Sequence, residues 1–482
     1  MKLTRRTFLI AAATGTALLK WSHTLRAEQV TRRPNILFFL IDDQRDDTLG
    51  CAGHPLIKTP VIDHIAATGA RFRNAFVTSP ICPASRASIF TGLTERTHGY
   101  TFGSPPVPEN YGQISYPLLL KQAGYRTGFF GKYGVAMEVS PERMFDEFAE
   151  QDRPYWRNGR HIDEVNVERA VDFLHGSSAE QPFCLSVSFS SVHAEDDNKT
   201  PGQKGHFPVI DAVKDMYQNV QIPAPRLHDP AIFENLPEFL RKSMNRQRYF
   251  WSWDTPEKYQ QNMRAYFAMI SGVDYMIGRI LDELKARGLA DNTVIIYASD
   301  NGNYLGERGF AGKWSHFEQS LRIPLIIYDP RLSAAKRGRV LDLMALNLDI
   351  PATILDYAGV QIPKRYQGRS LVPLVRDGKL GPWRTDFFCE HLMNHADLPK
   401  WEGVRGQRFV YSRYFEQTPP YEFLHNLKTD PDQLTNLVAH PAYHSRLVQM
   451  RKRCDELKDK YSKVTAYPMA RSPNWWASPR TP

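Results

Sequence analysis

Four short apolar runs, each followed closely by polar residues, constrain the fold of this 482-residue chain more than any other feature. The first run, residues 35–41, is entirely apolar after its asparagine, and Asp42-Asp43 follows it directly. A run without polar alternation is typical of a strand buried on both faces, as in a parallel sheet covered by helices. We predict further strands of this kind at residues 183–192, 293–298 and 323–328.

Helical periodicity separates these predicted strands. The clearest helix lies around residues 266–284, where apolar side chains recur on one face and Gly288 provides a stop signal. Strands that alternate with helices predict an α/β fold with a doubly wound, mostly parallel sheet. Because ligands bind at the carboxyl ends of the strands in such sheets, we expect the polar residues that follow the runs to converge. These residues are Asp42, Asp43, His193, Asp300 and Asn301.

The chain changes character in its second half. Residues 195–262 are polar and rich in proline and aromatic side chains, which predicts an insertion of loops and short helices near the site. The strand–helix alternation weakens after about residue 359, so we predict a main catalytic domain over 28–360 and a smaller α+β subdomain over 361–465. Residues 466–482 are predicted to form an irregular tail.

The predicted subdomain has its own pattern. Short runs near residues 387–388, 408–414 and 421–424 predict a small antiparallel sheet, and residues 447–461 predict a helix. No later stretch of about 18 apolar residues occurs, so we expect no stable membrane insertion.

The net charge of +9 depends strongly on the N-terminus. Residues 1–27 carry five basic residues and no acidic one, and the string Thr4-Arg5-Arg6-Thr7-Phe8-Leu9 resembles a twin-arginine export signal. An uncleaved amphipathic anchor is the alternative. Cleavage after Ala27 would leave a charge of +4, and the chain has no basic block, so we do not expect nucleic acid as a partner. We expect a periplasmic or extracellular protein.

Two oxygen-rich pairs follow predicted strands, Asp42-Asp43 and Asp300-Asn301. Hard divalent cations prefer several oxygen ligands, and together the pairs could supply them. The alternative is that each pair caps the turn or helix that follows it, since Asp and Asn favour those places.

One of the five cysteines stands in an unusual context. Cys82 precedes Arg86 by four residues at a predicted helix start, which is compatible with a low-pKa nucleophile. A half-buried structural cysteine is the alternative. The odd number of cysteines does not predict a full disulfide framework.

The wider string around Cys82 resembles the signature of the formylglycine-dependent sulfatases, a branch of the alkaline phosphatase superfamily. Cys82, Ala84 and Arg86 occupy the signature positions, with Ser88 and Thr91-Gly92 behind them. The resemblance continues along most of the chain, through motifs that include Asp42-Asp43, Lys58-Thr59-Pro60, Gly131-Lys132, His193, Ser299-Asp300-Asn301-Gly302, Gly312-Lys313 and Glu422-Phe423-Leu424. It implies an alkaline-phosphatase-like sheet with a smaller C-terminal antiparallel sheet and helix.

The resemblance implies a sulfuric ester hydrolase in which Cys82 is oxidised to formylglycine, whose hydrated aldehyde is the nucleophile. Conversion precedes folding, so an export route for folded proteins implies a maturation enzyme in the cytoplasm. The resemblance also implies a bound calcium ion, with magnesium as a variant. Its ligands would be Asp42, Asp43, Asp300, Asn301 and an oxygen of residue 82.

Four cations complete the implied site. Arg86 would hold the formylglycine, and Lys132 and Lys313 would contact sulfate oxygens and stabilise charge in the transition state. His193 would touch the sulfate and protonate the leaving alcohol, a role that Lys313 could share.

The chain departs from the family at one position. Many members read Gly-Lys-x-His after the third strand, and that histidine is thought to act as a base, whereas this chain has Gly134 in its place. His316 and His98 are candidate substitutes.

The aromatic content suits a sulfated carbohydrate, because aromatic rings stack on sugars. The candidate substrate contacts are Trp314, His316 and His391, together with Trp251 and Trp253. The alternative is that these side chains fill the interface between the two sheets. Two rival functions stay open: a phosphoester or phosphonate hydrolase of the same superfamily, and a degenerate calcium-dependent carbohydrate-binding protein.

Overall fold

The computed structural model describes residues 32–150, 154–196, 206–378 and 381–462. The predicted export signal at 1–27 and the predicted tail at 466–482 lie outside the described residues. In the described ranges, no helix combines the length and the apolar composition that a membrane span requires.

The described ranges contain strands β1 to β18, numbered along the chain. They are Asn35–Ile41, Ala70–Phe72, Ala75–Phe76, Arg126–Gly131, Glu147–Glu150, Trp156–Arg157, Arg160–His161, Phe183–Ser188, Thr293–Ser299, Tyr304–Leu305, Ala311–Gly312, Leu325–Tyr328, Arg339–Leu341, Ala345–Leu346, Asp386–His391, Trp401–Gly406, Phe409–Tyr414 and Tyr421–Asn426. The α-helices are Pro60–Thr68, Cys82–Thr91, Glu95–His98, Glu109–Gly112, Tyr116–Gln122, Pro141–Met144, Ile162–His175, Pro230–Glu234, Glu238–Arg241, Met244–Ser252, Pro256–Ala286, Glu318–Leu321, Asp349–Tyr357, Val372–Asp377 and His444–Ser462.

Eight strands form the central sheet, in the order β13-β2-β12-β9-β1-β8-β4-β5. Both neighbours of β1 run parallel to it, with Asn35 paired to Thr293 of β9 and Ile36 paired to Cys184 of β8. β12 is the exception, because it pairs antiparallel with β9 and with β2. The predicted α/β fold with a doubly wound, mostly parallel sheet is confirmed.

Burial on both faces explains the unbroken apolar run of β1. Alternate residues such as Phe38 and Phe39 belong to core clusters on opposite faces of the sheet, and both are almost fully buried. The cluster around Phe39 includes side chains from the long helix Pro256–Ala286, and the cluster around Phe38 includes side chains from Cys82–Thr91. A strand covered on both sides has no position for a polar residue until it ends.

Two predicted boundaries are wrong. β8 ends at Ser188 rather than at Val192, because the chain turns there across the end of β1, where Val192 N donates to Asp42 O at 2.9 Å. The insertion predicted to reach residue 262 ends earlier, because the long helix begins at Pro256. The side chain of Thr255 caps that helix by accepting a hydrogen bond from Lys258 N at 3.3 Å.

The C-terminal sheet has the order β15-β16-β17-β18, and all of its pairs are antiparallel. Helix His444–Ser462 packs on one face through Leu447 and Cys454, which contribute to a core cluster with side chains of the sheet. The predicted small sheet and helix are therefore confirmed. The sequence analysis missed β16, because Trp401–Gly406 contains two glycines and lacks a clear alternation.

A largely buried ion pair connects the C-terminal sheet to the short helix Glu318–Leu321. Arg405 of β16 donates through Nε and Nη2 to both carboxylate oxygens of Glu318, at 3.0 and 2.9 Å, and its guanidinium lies 4.4 Å from the ring centre of Phe76. The Arg405 side chain is only 6% exposed. Burial alone would raise the pKa of Glu318, but the charge of Arg405 holds that pKa below its ordinary value.

We expect Arg405→Ala to destabilise the protein by about 3 kcal/mol, because it leaves the Glu318 carboxylate buried and without its main partner. Urea unfolding of the variant and the parent protein measures the difference. The matched control is Lys336→Ala, which removes the exposed pair with Asp377 and should cost less than about 1 kcal/mol. If both variants lose the same free energy of unfolding, the Arg405–Glu318 pair does not hold the C-terminal sheet in place more strongly than an exposed ion pair would.

Candidate active site and metal centre

The parallel pairing of β1 with β9 brings two acidic segments side by side. Asp42 and Asp43 follow β1, Asp300 and Asn301 follow β9, and Asp43 N donates to Asp300 Oδ1 at 3.2 Å. Asp42, Asp43, Cys82 and Asp300 each offer one potential ligand atom, and these four atoms lie within 4.8 Å of one another. All four residues are buried. We call this group, together with Asn301, the acidic cluster.

The backbone at the end of β1 turns so that both carboxylates point into the cluster. Asp43 has a φ of +61°, in the left-handed region that Asp tolerates better than most non-glycine residues. Its carbonyl oxygen accepts a hydrogen bond from Tyr266 Oη of the long helix at 3.3 Å, and Gln44 N donates to Ser299 Oγ at 3.0 Å. These contacts fix the turn against the end of β9.

Cys82 begins the buried helix Cys82–Thr91, and its Sγ lies 3.3 Å from Asp42 Oδ1 and 2.9 Å from Lys313 Nζ. Burial and the charges of Asp300 and Asp42 raise the pKa of the thiol well above its ordinary value, despite the two lysines nearby. The alternative that Cys82 is a low-pKa thiolate nucleophile is not supported by this environment.

Three permanent cations surround the cluster. Arg86 is fully buried and donates from Nε to Asp300 Oδ2 at 2.7 Å, and from Nη1 to Ser188 Oγ at 2.7 Å and Lys132 O at 2.6 Å. Lys132 Nζ donates to Asp42, and Lys313 Nζ donates to Asp43. Both ammonium groups reach the cluster because their residues follow strands, Lys132 after β4 and Lys313 after β11.

His193 reaches the same carboxylates from the segment after β8. Its Nε2 lies 3.6 Å from Asp43 Oδ2, and its Nδ1 lies 2.5 Å from Ala194 O. Tyr155 Oη donates to the backbone oxygen of His193 at 2.7 Å and holds this segment in place. The expected convergence of Asp42, Asp43, His193, Asp300 and Asn301 is thus what the structure shows.

The opposite charges around the acidic cluster shift the pKa values of its carboxyl groups in different directions. Burial alone would raise the pKa of Asp42, but Lys132, His193, Arg86 and Lys313 hold that pKa well below its ordinary value. Burial and the charge of Asp42 raise the pKa of Asp300 to about 6, although Arg86 opposes the shift.

The donor set fits a hard divalent cation. Three carboxylates converge, and Asn301 Oδ1 is buried and has no hydrogen-bond partner among the described residues. The amide is fixed through its other end, because Nδ2 donates to Asp43 Oδ1 at 2.6 Å and to Gly302 O at 2.9 Å. A buried unpaired carbonyl oxygen beside carboxylates is a suitable calcium or magnesium ligand.

Gly134, at the position where many relatives carry histidine, faces the stems of two cations. Its φ is +65°, and a Cβ there would lie 3.3 Å from Arg86 Cδ and 3.7 Å from Lys132 Cε. The structure does not place His98 or His316, the two candidate substitutes for the missing histidine, beside Gly134. His98 forms a hydrogen bond with Ser88 Oγ at 3.1 Å and accepts another from Tyr100 N at 3.0 Å. Burial lowers the pKa of His98 to about 3. His316 is fully buried between the sheets, 2.9 Å from Tyr414 Oη.

The aromatic and histidine residues suggested as sugar contacts are mostly interior. His316 stacks among the side chains of the small sheet, and His391 is also fully buried, which lowers its pKa to about 3. Trp253 belongs to the core cluster that includes the long helix. Trp314, beside Lys313, is 7% exposed and has a φ of +78°. For His316 the structure favours the alternative interpretation, that it fills the interface between the sheets, because its ring packs on Phe423 and contacts Tyr414 Oη. His391 is buried as well, and Trp253 packs in the core beside the long helix.

Two contributors to the site were missed by the sequence analysis. Ser188 accepts from Arg86, and Tyr266 supports the Asp43 turn from a helix more than two hundred residues away in the chain. Ser188 is the last residue of β8, so the strand-end rule could have found it if the end of β8 had been predicted correctly. Tyr266 lies on the apolar face of its helix and carried no separate signal.

Comparison with known families identifies the class. The family described as "Sulfatase" matches residues 34–360, and the family described as "N-sulphoglucosamine sulphohydrolase, C-terminal" matches residues 306–460. The first match covers well over half of the chain, so this protein belongs to the sulfatase family, whose members hydrolyse sulfate esters.

Individual relatives cover nearly the whole chain. N-acetylglucosamine-6-O-sulfatase of Bacteroides thetaiotaomicron is 29% identical over 90% of this chain and 88% of its own. Arylsulfatase of Clostridium perfringens is 29% identical over 87% and 93%. A structure solved with its substrate D-glucosamine-2-N,6-O-disulfate matches with a TM-score of 0.76 and 25% identity, over 90% and 99%. The phosphonate monoester hydrolase of Agrobacterium radiobacter shares the fold, with a TM-score of 0.74 and 22% identity over 90% and 97%.

We expect Gly134→Ala to lower sulfate ester hydrolysis, because a Cβ at this position would crowd Arg86 Cδ at 3.3 Å, while it would meet Lys132 Cε at an ordinary contact distance of 3.7 Å. The positive φ adds a backbone cost of about 1–2 kcal/mol. The matched control is Gly159→Ala, where φ is +75° and no atom lies within 4 Å of the new Cβ. It carries the same backbone cost and should keep full activity. If the two variants have equal activities in a steady-state assay, Gly134 does not act through these cations.

Proposed function

We propose that this protein is an exported carbohydrate sulfatase that uses formylglycine made from Cys82 and a bound calcium ion. The observation that carries the proposal is the acidic cluster, in which the buried residue 82 lies close to three carboxylates and to Lys313, while Arg86 and Lys132 contact the same carboxylates. A neutral substrate would not need so many buried cations, whereas a sulfate ester is an anion whose charge shifts during attack at sulfur.

The residues of the site would have the following roles. Asp42, Asp43, Asp300 and Asn301 would hold the divalent cation, which would supply positive charge at the site. Residue 82, once converted to formylglycine, would supply the nucleophilic hydroxyl of the hydrated aldehyde. Arg86 is fixed by Asp300 and Ser188, so its charge can stabilise an anionic residue 82 without moving. Lys132 and Lys313 would donate hydrogen bonds to sulfate oxygens.

The proton for the leaving alcohol would come from His193 or Lys313. His193 Nε2 is poised beside Asp43, and Lys313 Nζ lies 2.9 Å from the Sγ of residue 82. Burial alone would lower the pKa of Lys313, but the charges of Asp43, Asp42 and Asp300 raise that pKa above its ordinary value, which favours the protonated form of this lysine. Either group meets the geometric requirement of a general acid.

Several observations support a carbohydrate as the substrate. A relative of nearly the same length is named an N-acetylglucosamine-6-O-sulfatase, and a structural neighbour was solved with a disulfated glucosamine. The N-terminal twin-arginine motif supports export, after conversion of Cys82 by a cytoplasmic maturation enzyme.

We expect Cys82→Ala to reduce release of sulfate from N-acetylglucosamine 6-sulfate by about a thousandfold or more, because it removes the nucleophile. The control is Cys51→Ala, a half-buried cysteine outside the acidic cluster, which should retain activity. Wild-type protein that prefers an aryl phosphate or a phosphonate ester to the matched sulfate would contradict the proposal. Binding of the sulfated sugar without turnover would instead support the degenerate binding protein.

We expect Asn301→Ala and Asp300→Asn to lower the calcium content of the purified protein, because the first removes an oxygen ligand and the second removes a negative charge from the acidic cluster. Elemental analysis after dialysis measures the ion directly. Calcium should also stabilise the wild-type protein, by about 2.7 kcal/mol at one hundred times its dissociation constant. The control Asp377→Asn changes an exposed ion pair and should keep the metal. Full metal content in the cluster variants would refute the assignment.

A further inference from the structure

Trp314, the residue after Lys313, has a backbone conformation that bulky residues rarely adopt. Its φ is +78°, in the left-handed region, where a Cβ crowds the backbone. Gly312, on the other side of the lysine, has a φ of +77°. The indole ring of Trp314 folds back over this glycine, because a Cβ added at Gly312 would lie 2.5 Å from Trp314 Cζ3. A strained turn of this kind persists only where the surrounding contacts hold it.

Three hydrogen bonds hold the backbone around Trp314. Asn245 Nδ2 donates to Lys313 O at 2.7 Å, and Trp314 N donates to Pro80 O at 3.2 Å. Both ends of the peptide group between Lys313 and Trp314 are therefore bound. The oxygen of the next peptide group is bound as well, because Trp401 Nε1 donates to Trp314 O at 2.7 Å.

The two side-chain donors are themselves buried in the fold. Asn245 is 3% exposed and also donates to Ala311 O at 2.8 Å, and Trp401 is completely buried. Asn245 lies on helix Met244–Ser252, and Trp401 is the first residue of β16 in the C-terminal sheet. Two elements that are distant in the chain thus hold the backbone beside Lys313.

These contacts fix Lys313 relative to residue 82. Lys313 Nζ lies 2.9 Å from Cys82 Sγ, and Pro80, which accepts the bond from Trp314 N, precedes Cys82 by two residues. A lysine side chain has a flexible stem, so the position of its Nζ depends on the backbone that carries it. If the φ of Trp314 relaxed to a negative value, the preceding residue would rotate and Lys313 Nζ would move away from residue 82.

We propose that Asn245 and Trp401 are positioning residues for Lys313. Their hydrogen bonds hold the left-handed turn at Trp314, and this turn places Lys313 Nζ beside residue 82. The inference rests on the proposed function, because it concerns the lysine that binds sulfate oxygens there. Neither residue needs to touch the substrate, since both act through the backbone. Misplacing a reacting group by about 1 Å can lower a rate by about a hundredfold.

A double-mutant cycle tests the proposal. We expect Trp401→Phe, which removes the indole N–H and keeps a buried aromatic ring, to lower kcat/KM for sulfate release by about 10- to 100-fold. In protein that also carries Lys313→Ala, the same change should lower kcat/KM by no more than about twofold, because the lysine that it positions is absent. The substrate is whichever of N-acetylglucosamine 6-sulfate and 4-nitrophenyl sulfate the wild-type protein hydrolyses faster.

The matched control for this change is Trp383→Phe. Trp383 Nε1 also donates to a backbone oxygen at 2.7 Å, but the acceptor is Met344 O, outside the acidic cluster. The control loses the same kind of hydrogen bond and should keep full activity. Urea unfolding of each variant shows that the protein assayed is folded.

Asn245→Leu tests the same turn without altering the C-terminal sheet, and it decides the question if Trp401→Phe does not fold. We expect a similar loss of kcat/KM and the same dependence on Lys313. Its control is Asn262→Leu, which removes a buried amide donor to Ser252 O at 2.8 Å and should keep activity.

Two results would overturn the inference and leave the proposed function standing. One is full activity in folded Trp401→Phe and Asn245→Leu, and the other is a loss as large in the Lys313→Ala background as in the wild-type protein. Full activity of Lys313→Ala itself would refute the proposed role of the lysine, and the inference with it. Wild-type protein that hydrolyses neither substrate would refute the proposed function.

Discussion

The buried negative charge of Asp42, Asp43 and Asp300 is the constraint on which the rest of the site depends. Three carboxylates placed this close together in the interior repel one another unless cations offset them. Arg86, Lys132 and Lys313 do so from one helix and two strand ends, each by direct contact. In the proposed function the same cations would also bind the anionic substrate, so the contacts that stabilise the buried carboxylates would prepare the site for it.

The central sheet makes this arrangement possible. β1 pairs in parallel with β8 and β9, so the segments after all three strands meet at one edge. Helix Cys82–Thr91 packs on one face and delivers residue 82 to that edge, and the long helix on the other face supports the Asp43 turn through Tyr266. The small sheet is tied by Arg405 to the short helix that begins five residues after Lys313, so it also supports the site.

Much of this was readable in the sequence, because buried parallel strands have a distinctive apolar pattern and their polar ends must converge. That rule placed Asp42, Asp43, Asp300, Asn301 and His193 together without any structure. The strand-end rule cannot distinguish interior from exposed aromatic and histidine side chains. His316 and His391 were therefore candidates for substrate contact, although both are fully buried. Nor could the rule find the contact of Tyr266 with the Asp43 turn, since the partners of a side chain on a helix depend on long-range packing that no local pattern records.

In the proposed function the nucleophile is the hydrated formylglycine at residue 82 and not the cysteine itself. Burial and the charges of Asp300 and Asp42 raise the pKa of the Cys82 thiol, which disfavours a thiolate nucleophile. The most direct measurement is mass spectrometry of the peptide that contains residue 82, from protein made in a host with the maturation enzyme. We expect the peptide to have the mass of the aldehyde or of its hydrate, and we expect the converted fraction to be proportional to the activity of the preparation. An active preparation in which residue 82 is an unmodified cysteine would contradict this expectation.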